Sequence, residues 1–250
     1  RWQRMAGRAG IAARVRASAA SHEQAVADHA GRVRIDVRGV LDDVAAGGGA
    51  ARQGEGASVI AGDSPALHRP GAKLEKSGIY DVCKRTGAGW VDFLKNPSEV
   101  RMRSGSIRIA SAALEADLII SLPKFKNHEL VYFTGAIKNT LGLVPGISKA
   151  MQHALHYDRE RFSVFLVDLN EAVTPSFFLM DGIMGMEGHG PGHGTPVNTG
   201  VLIGSSNPAA LDIIASTIAG YDPMDIPTSR IAVARQNWLK GEEEIIYNGP

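Results

Sequence analysis

Short apolar runs alternate with helix-like patterns over residues 58–219, and this alternation constrains the fold more than any other feature. Residues 58–61, 90–94, 106–109, 117–122, 177–181 and 201–204 have the pattern of strands. Residues 77–85, 110–115 and 159–173 have the pattern of helices, and Asn207-Pro208 begins another that stops at Gly220. Such alternation predicts an α/β fold with a mostly parallel sheet and helices on both faces. We expect one main domain, at residues 58–250.

Composition excludes several classes of protein. The chain has 250 residues and a net charge of +1, so no bulk charge favours binding to nucleic acid or to a membrane surface. No apolar run reaches the roughly 18 residues of a membrane-spanning helix. Cys83 is the one cysteine, which excludes a disulfide and a cysteine-ligated iron–sulfur cluster within this chain. We interpret Cys83 as a buried structural thiol and predict a cytoplasmic location.

Residues 1–57 differ from the rest and are predicted to be an atypical or incomplete lead-in. They are rich in alanine, arginine and glycine, and no aromatic residue occurs between Trp2 and Tyr80. A helix is expected within residues 26–44, ended by Gly47-Gly48-Gly49. Otherwise the sequence favours a helical or poorly ordered segment.

A basic stretch at residues 122–153 is the main candidate for a functional site. It follows the predicted strand 117–122 and carries six lysine and histidine side chains between turn-forming residues. These are Lys124, Lys126, His128, Lys138, Lys149 and His153. Ligands of α/β proteins usually bind where strands end and helices begin. The stretch therefore predicts the position of a ligand site.

Two helix starts within this stretch suggest how an anion would bind. Thr134 is expected to cap a helix, and Gly135 to leave the backbone N–H groups open to a phosphate or carboxylate that Lys138 would also attract. Ser148 is expected to cap the next helix, on which Lys149 and His153 share a face. His128 and His153 then fit metal ligation, acid–base chemistry or an anion clamp, although a lone histidine is more often a surface or hydrogen-bonded residue.

Six glycines in the thirteen residues 182–194 predict a loop rather than a strand or helix. We expect this loop to fold over Lys138, with Asp181 at a strand edge. The loop contains neither a P-loop nor a dinucleotide fingerprint, and its His189 and His193 lack the further ligands of a zinc site. Asp63, after the first predicted strand, fits a turn and a site residue equally well. No Gly-X-Ser-X-Gly elbow supports hydrolytic chemistry.

Several motifs resemble those of the domain of unknown function 362 family. They lie in the family's order at residues 62–65, 116–128, 134–139, 145–149 with His153, and 181–191, and the resemblance extends from residue 58 to about 235. Many members of that family carry an added ferredoxin-type domain, which Cys83 alone cannot supply. Relatives usually begin with a Lys-Pro-Asn strand and a Thr-His-Pro segment, and residues 1–57 contain neither. We therefore expect residues 1–57 to be a truncated or wrongly framed translation.

The same region is distantly similar to the catalytic domain of nickel-pincer lactate racemases. The similarity is in the order and approximate spacing of residues 126–128, 134–138, 145–146 and His153. In that family two histidines and a lysine hold the cofactor or assist acid–base chemistry. The resemblance implies that His128 and His153 are cofactor ligands or proton-transfer groups and that Lys138 is a charge clamp. The racemases' earlier histidines have no counterpart here.

We predict an enzyme that acts on a small anionic substrate or cofactor. His128, His153 and Lys138 are its predicted catalytic residues, and the two histidines are also the candidate ligands of a metal ion. The predicted cofactor-binding set consists of Lys124, Lys126, Thr134, Gly135, Asn139, Lys149, Asp181, Glu187, Gly188 and Gly190. The alternative is a non-catalytic ligand-binding or electron-transfer partner of a ferredoxin-type iron–sulfur protein. Substrate, reaction and oligomeric state are left open.

Overall fold

The chain forms one α/β domain, as predicted. The computed structural model describes residues 11–16, 58–64 and 79–246, with backbone only for 11–16, 79, 80 and 86. Its strands are β1 Ile11–Arg16, β2 Ser58–Asp63, β3 Gly89–Asp92, β4 Pro97–Met102, β5 Gly105–Ala110, β6 Leu118–Leu122, β7 Lys124–His128, β8 Tyr132–Phe133, β9 Phe177–His189 and β10 His193–Ser205. Its helices are α1 Ile79–Thr86, α2 Ser111–Leu114, α3 Ala136–Asn139, α4 Gly146–Leu155, α5 Arg159–Val173, α6 Pro208–Ile218 and α7 Pro227–Arg235. Short 3-10 segments lie at Thr140–Leu143, Pro223–Asp225 and Glu242–Glu244.

The main sheet has eight strands, and five of them run in the same direction, which confirms a mostly parallel sheet. β2 pairs with β3 in parallel, and β9 pairs in parallel with both β6 and β7. β1 is antiparallel to β2 and to β6, so β2 and β6 share one direction. β10 occupies the other edge of β9, and β8 pairs with β7. β4 and β5 form a separate two-stranded sheet.

The lead-in contributes a strand that was not expected. β1 lies between β2 and β6 in the sheet, so part of residues 1–57 belongs to the same domain. The helix predicted within residues 26–44 lies outside the described residues. The boundary at residue 57 stays a prediction.

The predicted glycine loop is instead a long β-hairpin. β9 and β10 have thirteen residues each and pair from Phe178–Ser205 to His189–His193. The glycines permit close packing that a side chain would prevent: a Cβ at Gly182 or Gly185 would collide with the cross-strand Val201 or Thr199. The prediction of a loop was wrong because glycine density was interpreted as backbone irregularity, whereas here it relieves crowding.

Helix α5 forms the centre of the core, and its predicted bounds are confirmed. Phe162, Leu166 and Leu169 on this helix are fully buried. Asp158 caps its first turn by accepting the Arg161 N–H at 2.8 Å, and Thr174 ends it in a left-handed conformation. Among the described helices, none is long and apolar enough to cross a membrane.

Candidate functional site

The candidate site lies where strands that run in the same direction reach their carboxyl ends. Asp63 is the last residue of β2, and His128 is the last residue of β7. Helices α3 and α4 follow β7 and bring Lys138, Lys149 and His153 to the same region. This is the usual position of ligand sites in α/β proteins, and it agrees with the position predicted for residues 122–153.

Strand β7 aims its charged residues to one side, because side chains alternate along a strand. Lys126 and His128 are both buried, at 8% and 7% exposure. Lys124, on the same face, forms an ion pair of 2.6 Å with Asp181 of β9. Phe125, on the opposite face, packs edge-on against Phe133. The lysines are thus held on a strand with an apolar anchor behind it.

Helix α4 is placed with its polar side inward. Lys149 is buried at 8% exposure, whereas Ile147, Met151 and Leu155 are exposed at 78%, 53% and 61%. These three apolar residues recur every four positions and form one face. A half-turn of the helix about its axis would bury them and release the lysine to water. By the hydrophobic effect alone, the observed orientation of α4 is the less favourable one, and it keeps the Lys149 ammonium in the interior.

Ser64 connects the end of β2 to the first turn of α4. Its hydroxyl accepts the Gly146 N–H at 3.0 Å, and its carbonyl accepts a hydrogen bond from the Lys149 ammonium. The helix begins at Gly146, directly after Pro145, so Ser148 is not its cap as predicted. The role of Ser64 could not be inferred from the sequence, because 82 positions separate it from Gly146.

The two histidines of the candidate site lie near each other. The rings of His128 and His153 are nearly parallel, with centroids 6.3 Å apart, and His153 also contacts the Phe162 ring at 4.4 Å. Nδ1 of His128 accepts the backbone N–H groups of Leu130 and Val131 at 3.1 and 3.4 Å. In the neutral ring the proton is therefore on Nε2, which is a hydrogen-bond donor.

Burial depresses the pKa values of three lysines that we call the lysine cluster: Lys126, Lys138 and Lys149. For Lys138 the pKa falls to about 7, chiefly through burial and further through the charges of Lys126 and Lys149. The pKa values of Lys126 and Lys149 are also lowered by burial, and Asp63 opposes both shifts. Asp63, which the sequence left open between a turn former and a site residue, thus acts electrostatically on both lysines, although it was not among the predicted set.

Both histidines are neutral at physiological pH. Burial first, and then Lys138, His153 and Lys126, lower the pKa of His128 to about 2. Burial, followed by Lys138 and Lys149, lowers the pKa of His153 to about 4. A histidine with so low a pKa is a weak base and serves better as a neutral hydrogen-bond donor.

The first turn of α3 is not open to a ligand, so this part of the prediction was wrong. The N-cap is Gly135, and no side chain of the preceding residues caps the helix. The N–H groups of Ala136 and Ile137 donate instead to the carboxylate of Asp212 on α6, with 3.1 Å for Ile137. Asn139, at the other end of α3, donates its side-chain amide to Ser121 Oγ at 2.8 Å. The one acidic residue in the otherwise mostly apolar run 208–218 was the sequence signal that could have identified Asp212.

Thr134, also in the predicted set, is buried at 4% exposure. Its hydroxyl has no hydrogen-bond partner among the described atoms. This buried hydroxyl is therefore not the cap that the sequence suggested.

The hairpin does not cover the lysine cluster. Glu187 and Gly188 are exposed on its outer half, and the Gly188 carbonyl accepts a hydrogen bond from the Asn127 side chain. A Cβ at Gly190 would also collide with Asn127. Asn127 lies on the face of β7 opposite Lys126 and His128, so Gly188 and Gly190 contact the wrong side of the strand. Of the hairpin residues predicted to bind the cofactor, all of which the structure describes, Asp181 alone pairs with a lysine of the predicted set, Lys124.

Metal ligation lacks a complete ligand set. Within the part of the chain that the structure describes, no three His, Cys, Asp or Glu side chains converge as ligands. His128 and His153 supply two nitrogens at most, beside cationic lysines that would repel a metal ion. The resemblance to nickel-pincer lactate racemases stays a prediction.

Comparison with known proteins identifies relatives. The model of a family described as "Domain of unknown function (DUF362)" matches residues 37–217. Thylakoid-associated protein sll1697 of Synechocystis sp. is 35% identical over 178 residues, which are 70% of this chain and 56% of the relative. The chain thus spans little more than half of that relative's length. No solved structure matches the chain.

Proposed function

We propose that this chain, which belongs to the DUF362 family, binds a small anionic substrate or cofactor in the lysine cluster and assists proton transfer on it. One observation carries the proposal: α4 buries Lys149 and exposes Ile147, Met151 and Leu155. Burying a lysine while leaving three large apolar side chains in water opposes the hydrophobic effect. An anion that neutralises the buried charge gives this arrangement a purpose.

The balance of charge in the cluster favours an anion. Asp63 raises the pKa values of Lys126 and Lys149, whereas burial and the charges of neighbouring lysines, Lys124 in the case of Lys126, lower those of all three lysines. One carboxylate cannot offset three ammonium groups. A bound carboxylate or phosphate would supply the missing negative charge and would raise the pKa values of the lysines again.

The depressed pKa values favour roles that differ from the predicted ones. Lys138, with a pKa of about 7, is matched to donate and accept protons at neutral pH, whereas His128 is not. His128 would instead donate its Nε2 hydrogen to an oxygen of the ligand. Lys126 and Lys149, both in the predicted cofactor-binding set, would hold the anion by their charge. Lys138 thus replaces the histidines as the proposed acid–base group.

A thermal-shift titration tests the binding proposal. We expect phosphate, sulfate or a small carboxylate such as lactate or malate to raise the Tm of the wild-type protein, because anions bind the folded state. Lys138→Met and Lys126→Met should abolish that shift, and Lys95→Met, a change at an exposed lysine, should retain it. Equal shifts in all four proteins would show that anions act elsewhere.

The other predictions are kept as proposals of lower rank. A non-catalytic partner of a ferredoxin-type protein would co-purify with such a protein and turn over no hydroxy acid. Two-histidine metal ligation would show as stoichiometric metal in the purified protein. The cytoplasmic location is proposed from cysteine usage, beside a relative named for its association with thylakoids.

A further inference from the structure

Asp212 is a buried carboxylate that the lysine and histidine chemistry does not use. It lies in the first half of α6 at 2% exposure, and the described residues offer it no ion-pair partner. Its two oxygens accept the N–H groups of Ala136 and Ile137. Burying a charge without a cation is costly unless hydrogen bonds compensate. The first turn of α3 therefore stabilises the buried Asp212 carboxylate, and Asp212 in turn satisfies the N–H groups of that turn.

Gly135 is shaped to admit this carboxylate. A Cβ at residue 135 would overlap the Asp212 carboxylate, so the glycine provides the space. With φ −91° and ψ −155°, its backbone is extended and does not itself require glycine. The glycine is thus explained by contact with Asp212 and not by turn geometry. This contact accounts for the Thr-Gly-Ala sequence without a bound phosphate.

Helix α3 is fastened at both ends, and Lys138 lies between the fastenings. Asp212 holds the first turn, and the Asn139 amide holds the last residue to Ser121 of β6. A helix of four residues is not stable by itself. The direction in which Lys138 leaves the backbone is therefore set by these side-chain contacts together with the burial of Ala136 and Ile137 in the core.

We propose that Asp212 is a positioning residue that clamps the first turn of α3 and thereby holds the Lys138 ammonium within the lysine cluster. This inference rests on the proposed function of that cluster. Asp212 does not touch the ligand. It occupies the N–H groups that an anion would otherwise take, so the ligand is left to side-chain donors.

The test compares Asp212→Asn with Asp168→Asn, which changes another buried carboxylate, one that is paired with Arg235. The asparagine amide accepts one N–H and opposes the other, so α3 should loosen while the fold persists. We expect the rate at which trinitrobenzenesulfonate modifies Lys138, followed by peptide mass spectrometry, to rise several-fold in Asp212→Asn and to stay unchanged in Asp168→Asn. The pH midpoint of that modification should also shift in Asp212→Asn alone. Gly135→Ala, which presses on the carboxylate from the other side, should reproduce the effect.

A loss of stability in Asp212→Asn and Gly135→Ala with unchanged Lys138 reactivity would make Asp212 a merely structural residue and overturn the inference. Lys138 reactivity is measured without a ligand. If the proposed anion binding fails, wild-type protein shows no anion-induced Tm shift, yet the modification rates still decide the role of Asp212. The two failures are therefore distinguishable.

Discussion

At the scale of single residues, the sequence located the titratable groups but not their partners. His128, Lys138, Lys149 and His153 lie within 26 positions and could be grouped by eye. Lys149 donates to the Ser64 carbonyl, and Asp63 raises the pKa of Lys149. Asp212 accepts the Ile137 N–H beside Lys138. These pairs join residues far apart in the chain, and pattern analysis does not detect them. The pKa values that decide the roles depend on those contacts and on burial. The sequence therefore identified the residues but not the pKa values on which their proposed roles depend.

Acid stability should depend on His128. Its pKa is about 2 in the folded protein and about 6.5 in the unfolded chain, so protonation favours unfolding. The fold is unaffected above about pH 6.5 and loses stability as the pH falls below it, by roughly 2–3 kcal/mol at about pH 4.5. His128→Asn keeps an acceptor for the Leu130 N–H and does not titrate there. Urea unfolding at both pH values should show a smaller acid loss in the variant, and equal losses would count against the buried neutral ring.

At the scale of elements, helices were predicted better than strands. The helix Arg159–Val173 has apolar residues at helical spacing along its fifteen residues and a capping aspartate before them, so local signals sufficed to predict it. The hairpin was missed because its glycines are required by contacts with residues distant in the sequence. Phe125 of β7 and the strand β10 lie so close to Gly182 and Gly185 that a side chain would not fit, and the local sequence gives no sign of that contact. β1 was missed because it lies in an alanine-, arginine- and glycine-rich segment without a clear strand pattern.

The glycines of β9 should be intolerant of a methyl group where they are crowded. A Cβ at Gly185 would lie 2.5 Å from Thr199 Oγ1 and 3.1 Å from the Phe125 ring. Gly185→Ala should reduce the free energy of unfolding by about 1–3 kcal/mol through overpacking. Gly192→Ala, at the hairpin tip, has open space and serves as the matched control. Chemical denaturation of both variants measures the difference. A neutral Gly185→Ala would contradict the hairpin packing.

At the scale of the whole molecule, the α/β class and the site position followed from alternation and from the strand-end rule. Family membership agrees with the motifs identified in residues 58–235, and the family match at residues 37–217 begins earlier in the chain and ends earlier. The orientation of α4 could not be predicted, because a helix with inward lysine and outward isoleucine contradicts the amphipathic pattern on which such predictions rest. Departures of this kind concentrate at functional sites, where stability is given up for ligand binding.

The most direct test of the lysine cluster is the pH dependence of stability in Lys138→Met, without any anion. The pKa of Lys138 is about 7 when folded and about 10.5 when unfolded, so the lysine destabilises the empty protein at neutral pH and below. This cost declines as the pH rises from about 7 to about 10.5, because the unfolded chain then loses the proton as well. Comparison with the variant cancels the opposite contribution of the buried Cys83 thiol.

We predict that Lys138→Met is more stable than wild type by at least about 1 kcal/mol at about pH 7 and that the difference disappears toward about pH 10.5. Urea denaturation in an anion-poor buffer across this range measures it. A variant that is less stable than wild type at neutral pH, by an amount that does not change with pH, would mean that Lys138 is already neutralised within the protein. In that case the lysine cluster would need no bound anion to neutralise it, and the proposal would be contradicted.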